Sequence, residues 1–165
     1  MGFKTKNRHR LKTKEIKEIQ TNLQKSFIYP FFDNKSSVES CEIEGMNIIL
    51  VDNKPCFMII DSRVFFTLYG IEKFKPKEKF VVVDMGAVKF VTSGADVMAP
   101  GIIDADVNIC ENDQVWICDE RHHKPLAIGI AILNGDEMKS NRKGKAVKVI
   151  HYVGDKLWIK TSKGL

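Results

Sequence analysis

Residues 83–102 read Val-Asp-Met-Gly-Ala-Val-Lys-Phe-Val-Thr-Ser-Gly-Ala-Asp-Val-Met-Ala-Pro-Gly-Ile. Asp84 stands where a carboxylate would accept the backbone N–H groups that a first helical turn leaves free, so it reads as a cap rather than as a lone catalytic acid. Wound as a helix, the stretch places Val88, Val91, Thr92 and Ala95 on one side, with Ala87 and Phe90 pointing well away from them. A helix patterned this way needs cover on two sides. Gly86 and Gly94 sit near its ends, where the missing Cβ permits positive φ or lets another backbone or a ligand come close. Pro100-Gly101 then turns the chain into a strand.

The flanking segments point to a small barrel. Residues 80–83 form a short apolar run, residues 114–118 alternate, and residues 126–133 put Leu126, Ile128, Ile130 and Ile132 on one face and Ala127, Gly129 and Ala131 on the other. An apolar strand with one small-residue face must be covered on both sides, as in a closed barrel whose neighbouring strands approach closely. A closing hairpin is expected from residues 146–153 and 156–161, turning at Gly154-Asp155. Five or six short strands with one short helix make a barrel of ordinary size.

The N-terminal half reads differently. A basic arm to about residue 12 precedes Ile16, Ile19, Leu23 and Phe27, one apolar stripe of a helix whose Lys14, Lys17, Gln20 and Gln24 stay wet. After the Pro30 break and a polar loop, residues 43–51 and 56–60 read as a hairpin about Asp52-Asn53-Lys54-Pro55. Residues 64–71 fit either helix or strand. Residues 72–79, with Glu72, Lys73, Lys75, Lys77, Glu78 and Lys79 around Pro76, read as a linker, so the expected domains are 1–76 and 77–165.

With 165 residues, 44% apolar and 28% charged, the chain has room for one ordinary domain or two small ones and is not a disordered tail. Its net charge of +5 is unevenly placed: residues 1–25 carry +6, residues 139–165 carry +7, and the middle carries −8. No 18-residue uncharged apolar stretch exists and the start has no signal-peptide core, so a cytoplasmic protein without membrane contact is expected. Cys41, Cys56, Cys110 and Cys118 form no CxxC knuckle and lie in or beside apolar runs, which predicts reduced, buried thiols and no structural zinc.

The 83–102 run resembles the signature of the PUA domain, the RNA-binding module named for pseudouridine synthases and archaeosine transglycosylases, whose pattern is similar to D-x-G-A-x-x-F-V-x-x-G-A-x-V-M-x-P-G. The order of basic arm, amphipathic helix, hairpin, charged linker, PUA segment, and Ile150-His151-Tyr152 and Leu157-Trp158 is similar, over nearly the whole chain, to the malignant T-cell-amplified-sequence family. Thr92, Asp96 and Ala99 depart from that family's usual apolar residue, Asn and Cys, and Phe66-Thr67-Leu68 stands for its Pro-Thr-Leu. The resemblance implies an α+β protein with an N-terminal α/β pre-PUA domain packed on a C-terminal PUA β pseudo-barrel. It further implies a translation role through the tRNA acceptor end and the small ribosomal subunit, and in eukaryotic members a density-regulated-protein partner.

PUA domains, on this resemblance, hold RNA between the helix-and-glycine segment and the closing strands. The residues so implicated are Met85, Gly86, Ala87, Lys89, Ser93, Gly94, Ala95, Pro100 and Gly101, with Lys143, Lys145, Lys148, Tyr152, Lys156 and Trp158. Lysines would meet phosphates, backbone near glycines would approach sugars, and aromatic faces would receive unstacked bases. The same residues also read as a solvated strand face and barrel packing. A carboxylate at Asp96 would repel phosphate unless a lysine neutralised it, and could equally cap a turn. The arm of Lys4, Lys6, Arg8, Arg10, Lys12 and Lys14 reads either as a phosphate-binding arm or as a disordered solubilising tail.

Catalysis finds little support. His122-His123 lacks a third ligand at metal spacing, Ser93 lacks the glycines of a nucleophile elbow, and no phosphate-cradling or dinucleotide motif is present, so no metal or cofactor is expected. The expectation is a non-catalytic, translation-associated RNA-binding protein. Two competitors are an RNA-modification enzyme or its targeting subunit, and a protein-interaction adaptor docking through residues 56–71.

Overall fold

The computed structural model describes residues 3–162. The chain divides into two compact units, one made of the chain to Pro76 together with the segment from Lys156 onward, the other of Lys77–Asp155.

The first unit contains β1 (Lys6–Arg10), α1 (Thr13–Gln24), β2 (Val38–Ile43), β3 (Met46–Val51), β4 (Lys54–Ile60), β5 (Arg63–Phe66) and α2 (Leu68–Phe74). Its five strands lie in sequence order, every pair antiparallel. The turns at Glu44-Gly45, Asp52-Asn53 and Asp61-Ser62 all hold φ between 49° and 76°, the left-handed geometry that matches strand twist in two-residue hairpins. α1 buries Ile19 and Leu23, as its stripe requires, and Phe27 is buried beyond its end. Phe31 meets Phe57, Phe66 and Phe74 at 5.9, 5.6 and 5.4 Å between ring centroids, an edge-on aromatic core.

The ambiguous residues 64–71 are strand and then helix. Thr67 makes the switch: its hydroxyl accepts the Gly70 N–H at 3.0 Å and donates to the Pro55 carbonyl. Part of the expected linker is also helical. Glu72, Lys73 and Phe74 complete α2 because the Phe74 ring stacks on Phe57 at 5.5 Å, and left-handed Lys75 ends the helix. The basic arm is not a disordered tail, since β1 pairs with β2 as an edge strand.

The second unit runs β6 (Phe80–Val83), α3 (Met85–Val91), β7 (Val97–Met98), a 3₁₀ turn (Ala99–Gly101), β8 (Ile102–Ala105), β9 (Gln114–Asp119), β10 (Pro125–Ala131), α4 (Gly135–Ser140) and β11 (Lys145–Tyr152). The strands, ordered β7-β11-β10-β9-β6-β8, form a nearly closed barrel in which β6 and β9 are parallel. The fold is thus α+β with a six-stranded barrel, as expected. Val81, Val91, Ile109, Ile117, Met138 and Val147 fill its core. Gly129 is required: a Cβ there would lie 2.4 Å from Val147 Cγ1 and 2.7 Å from the Lys148 carbonyl oxygen. The unanticipated α4 starts on a reciprocal cap, with Glu137 N–H donating to Asn134 Oδ1 at 2.9 Å and Asn134 N–H to Glu137 Oε1 at 3.2 Å.

Two expectations are corrected. The segment after Gly154 is a helix, α5 (Lys156–Ser162), and belongs to the first unit, so residues 77–165 do not form one body. Leu157 and Thr161 are its buried pair, four residues apart, a helical stripe too short to outweigh the hairpin reading of Gly154-Asp155. Cys110 is exposed in the loop after β8, whereas Cys41, Cys56 and Cys118 are buried, and all four are free. Burial pushes the thiols of Cys56 and Cys118 up to about 12 and that of Cys41 to about 11. No helix among the described residues is long and apolar enough to cross a membrane.

Candidate nucleic-acid interface

The 83–102 segment builds a cavity of about 580 Å³ in the second unit. Asp84 starts it: its carboxylate accepts the Ala87 N–H at 2.8 Å, and its own N–H donates to the Gly101 carbonyl at 2.9 Å, tying the head of α3 to the 3₁₀ turn. Gly101 lies so close that a Cβ would sit 3.2 Å from Ala87 Cβ. Val91 is buried beneath α3, which leaves Phe90 on the cavity side, 58% exposed. Met98, 46% exposed at the edge strand β7, forms another wall with Val97 and Pro100. The cavity is therefore apolar inside, with its charge at the rim.

Besides Asp84 at the head of α3, the charged lining residues are one pair. Lys145 Nζ lies 3.3 Å from Asp96 Oδ2, while Asp96 Oδ1 accepts the Val149 N–H at 3.0 Å. Asp96 therefore clasps β11 and neutralises, through Lys145, the repulsion it would exert on a phosphate. Lys89 extends over the Phe90 ring at 5.2 Å, placing a second cation beside the aromatic wall.

Of the residues implicated by resemblance, Gly86, Ala87, Ala95, Pro100, Gly101 and Lys145 line this cavity. Met85 and Lys89 lie on α3 without lining it, and Ser93 spends its hydroxyl on the Lys89 carbonyl at 2.7 Å. Gly94, at φ +89°, is already occupied: a Cβ would meet the Tyr152 ring at 2.8 Å, so that ring packs on the glycine and against the barrel core rather than standing open as a platform. Lys143, in the loop before β11, and Lys148 on it are exposed. Lys156 and Trp158 sit on α5 in the first unit and are not on a closing strand. Phe90, Val97 and Met98 were missed as lining residues, although the outward position of Phe90 on the helical wheel was a usable signal.

The arm is placed too. Lys4 precedes β1, Lys6, Arg8 and Arg10 are on it, Lys12 precedes α1 and Lys14 is in its first turn. Arg8 is engaged within the unit, its Nε and Nη2 each donating to Glu39 at 2.9 Å; the shared hydrogen bonds raise the guanidinium's affinity for its proton and hold the Glu39 carboxyl below its usual range. At the other turn of interest, burial alone would raise Asp119, but the N–H groups of Arg121, His122 and Lys124 at 2.9, 2.7 and 3.1 Å hold it below the ordinary range. His122-His123 thus belongs to a loop folded on a carboxylate.

The second unit is a PUA domain: the family model of that description matches residues 79–153. Over 155 residues, covering 93% of this chain and 96% of its counterpart, the sequence is 46% identical to an uncharacterised protein of Methanocaldococcus jannaschii. It is 33% identical over 131 residues to translation machinery-associated protein 20 of Saccharomyces cerevisiae, covering 75% of this chain and 72% of that one. A hypothetical protein of Pyrococcus horikoshii has the same fold, with a TM-score of 0.85 and 39% identity over 93% of this chain and 99% of that one. The chain belongs to the family of PUA-domain proteins that includes translation machinery-associated protein 20 and malignant T-cell-amplified sequence 1.

Proposed function

We propose that this protein is a non-catalytic RNA-binding protein of the translation apparatus, and that its PUA unit takes an unpaired RNA end into the cavity between α3, β7 and β11. The PUA fold and the translation-machinery name of a relative support the RNA-binding, translation-related part. The observation that carries the rest is the cavity itself. Its volume of about 580 Å³ falls within the roughly 300–1,000 Å³ typical of small-ligand sites. Phe90 and Met98 offer an unstacked base apolar contact, and the rim cations meet its phosphates. The acceptor end of tRNA and single-stranded small-subunit rRNA are the ligands with this chemistry. The reading extends to cytoplasmic work on the small ribosomal subunit beside a density-regulated-protein-like partner.

The test is salt-titrated binding of the full chain to deacylated tRNA with and without its 3′-terminal nucleotides. Trimming the end should weaken binding at every salt concentration. Phe90→Ala should cost roughly 1–3 kcal/mol of affinity on intact tRNA and little on trimmed tRNA. Equal affinity for the two tRNAs would overturn the proposal.

A further inference from the structure

We infer that the first unit carries its own phosphate-binding groove, along α1, which takes the sugar-phosphate backbone of an RNA strand away from its end. The inference rests on the RNA-binding reading above for its choice of ligand, but on different residues.

Two cavities meet on α1. One, about 400 Å³, lies between Arg10 at the end of β1, Lys17 and Gln20 of α1, and Asn34 in the following loop. The other, about 540 Å³, runs along the helix past Lys14, Thr21 and Lys25. Both are lined by Thr13 and Lys17, so the two adjoin along α1 and together make up the groove. At 1.5 Å rise per residue, Lys14 to Lys25 spans about 16 Å, the rise of four or five nucleotides at roughly 3.4 Å each.

The groove's cations are left uncommitted by the pairing around them. Glu39, the register partner of Arg10 across β1 and β2, is held in two hydrogen bonds by Arg8. Arg10 therefore acts on Glu39 only through space. Among the described residues, the side chains of Arg10, Lys14, Lys17 and Lys25 make no hydrogen bond or ion pair. Two carboxylates line the same groove. Asp33, exposed, accepts from the Lys35 N–H at 2.8 Å and the Ser36 hydroxyl at 3.1 Å, and Glu18 is the other negative charge, so the four cations outnumber the carboxylates by two. Four cations, two threonine hydroxyls and three side-chain amides along an open groove suit repeated phosphates better than a single carboxylate.

The experiment measures binding of the full chain to two RNAs across a salt series: whole deacylated tRNA, and a short single strand with the sequence of the tRNA 3′ end. Arg10→Ala with Lys17→Ala should flatten the slope of log K against log salt for tRNA by about 1.4–1.8, at 0.7–0.9 per lost phosphate contact, and leave the short strand's affinity unchanged. Lys17→Arg should restore half of that loss. An unchanged slope for tRNA in a double variant whose circular dichroism and melting match the parent would overturn the groove. Dependence on Arg10 and Lys17 for a polyglutamate peptide but not for tRNA would overturn it equally, in favour of an acidic protein partner. Failure of the short strand to bind the parent chain would count against the cavity of the PUA unit, while the tRNA slope still judges the groove.

Discussion

Asp96 offers a test in which stability and binding move in opposite directions. Replacing it with Asn keeps an amide oxygen that can accept the Val149 N–H, now at 3.0 Å, and removes the charge that holds Lys145 at 3.3 Å. The Lys145 and Asp96 side chains are 62% and 26% exposed, so the pair is a surface one, worth about 0–1 kcal/mol. The variant's melting temperature should therefore fall by no more than a few degrees. For RNA, a carboxylate about 7 Å from a phosphate repels it by roughly 0.6 kcal/mol in bulk water, about threefold in affinity, and Lys145 is freed as well. Asp96→Asn should thus bind tRNA about threefold more tightly at low salt, with the gain shrinking as salt screens it. Asp96→Ala, in contrast, leaves the Val149 N–H without its acceptor, at about 1–3 kcal/mol, which in a domain of this size lowers the melting temperature by at least about 4 °C. Differential scanning fluorimetry and fluorescence anisotropy read the two effects separately. Weaker tRNA binding by Asp96→Asn, or an unaltered melting temperature for Asp96→Ala, would refute the assignment of Asp96 as clasp and counter-charge.

Gly129→Ala should destabilise by about 1–3 kcal/mol or more, since its Cβ would overlap Val147 and the Lys148 carbonyl, whereas Gly144→Ala, at φ +92° in open space, should cost only about 1 kcal/mol; chemical denaturation compares them. With a disulfide reagent under native conditions, Cys110 should react promptly and Cys41, Cys56 and Cys118 only on unfolding, because burial suppresses their thiolates. Asp119 is held below the ordinary carboxylate range, so its contribution is present above about pH 4 and lost as pH falls through the folded value. Asp119→Ala should lower stability at pH 7 and flatten the loss of stability on acidification, as read by urea titrations between pH 2 and 7.

The sequence exposed most plainly those parts of the fold where local chemistry and burial agree. Asp84, Gly129 and the stripe of Ile19, Leu23 and Phe27 each do what their spacing requires. The misreadings came where long-range contacts decide. Residues 156–161 follow Gly154-Asp155, a pair that reads as a hairpin turn, yet Leu157 and Thr161 are buried as a helix. The charged run after Ile71 stays helical as far as Phe74 because that ring has an aromatic partner some 17 residues back. Likewise the glycine at Gly94 was visible, but that Tyr152 occupies its face was not. The cavity's chemistry was half legible: its glycines follow from the motif and Lys145 from the closing strands that the resemblance implicates, whereas the roles of Phe90 and Met98 depend on which side of α3 and β7 the barrel leaves uncovered.

Methionine-methyl NMR of the full chain addresses RNA entry into the cavity with the least intermediary. Met98 lines the cavity and is 46% exposed, whereas Met138 is fully buried in the barrel core and Met58 in the first unit. On titration with the short 3′-end strand, the Met98 methyl resonance should shift progressively and saturate at the Kd measured by anisotropy, while Met138 and Met58 stay in place. Saturable binding of that strand with the Met98 resonance unmoved would contradict the account.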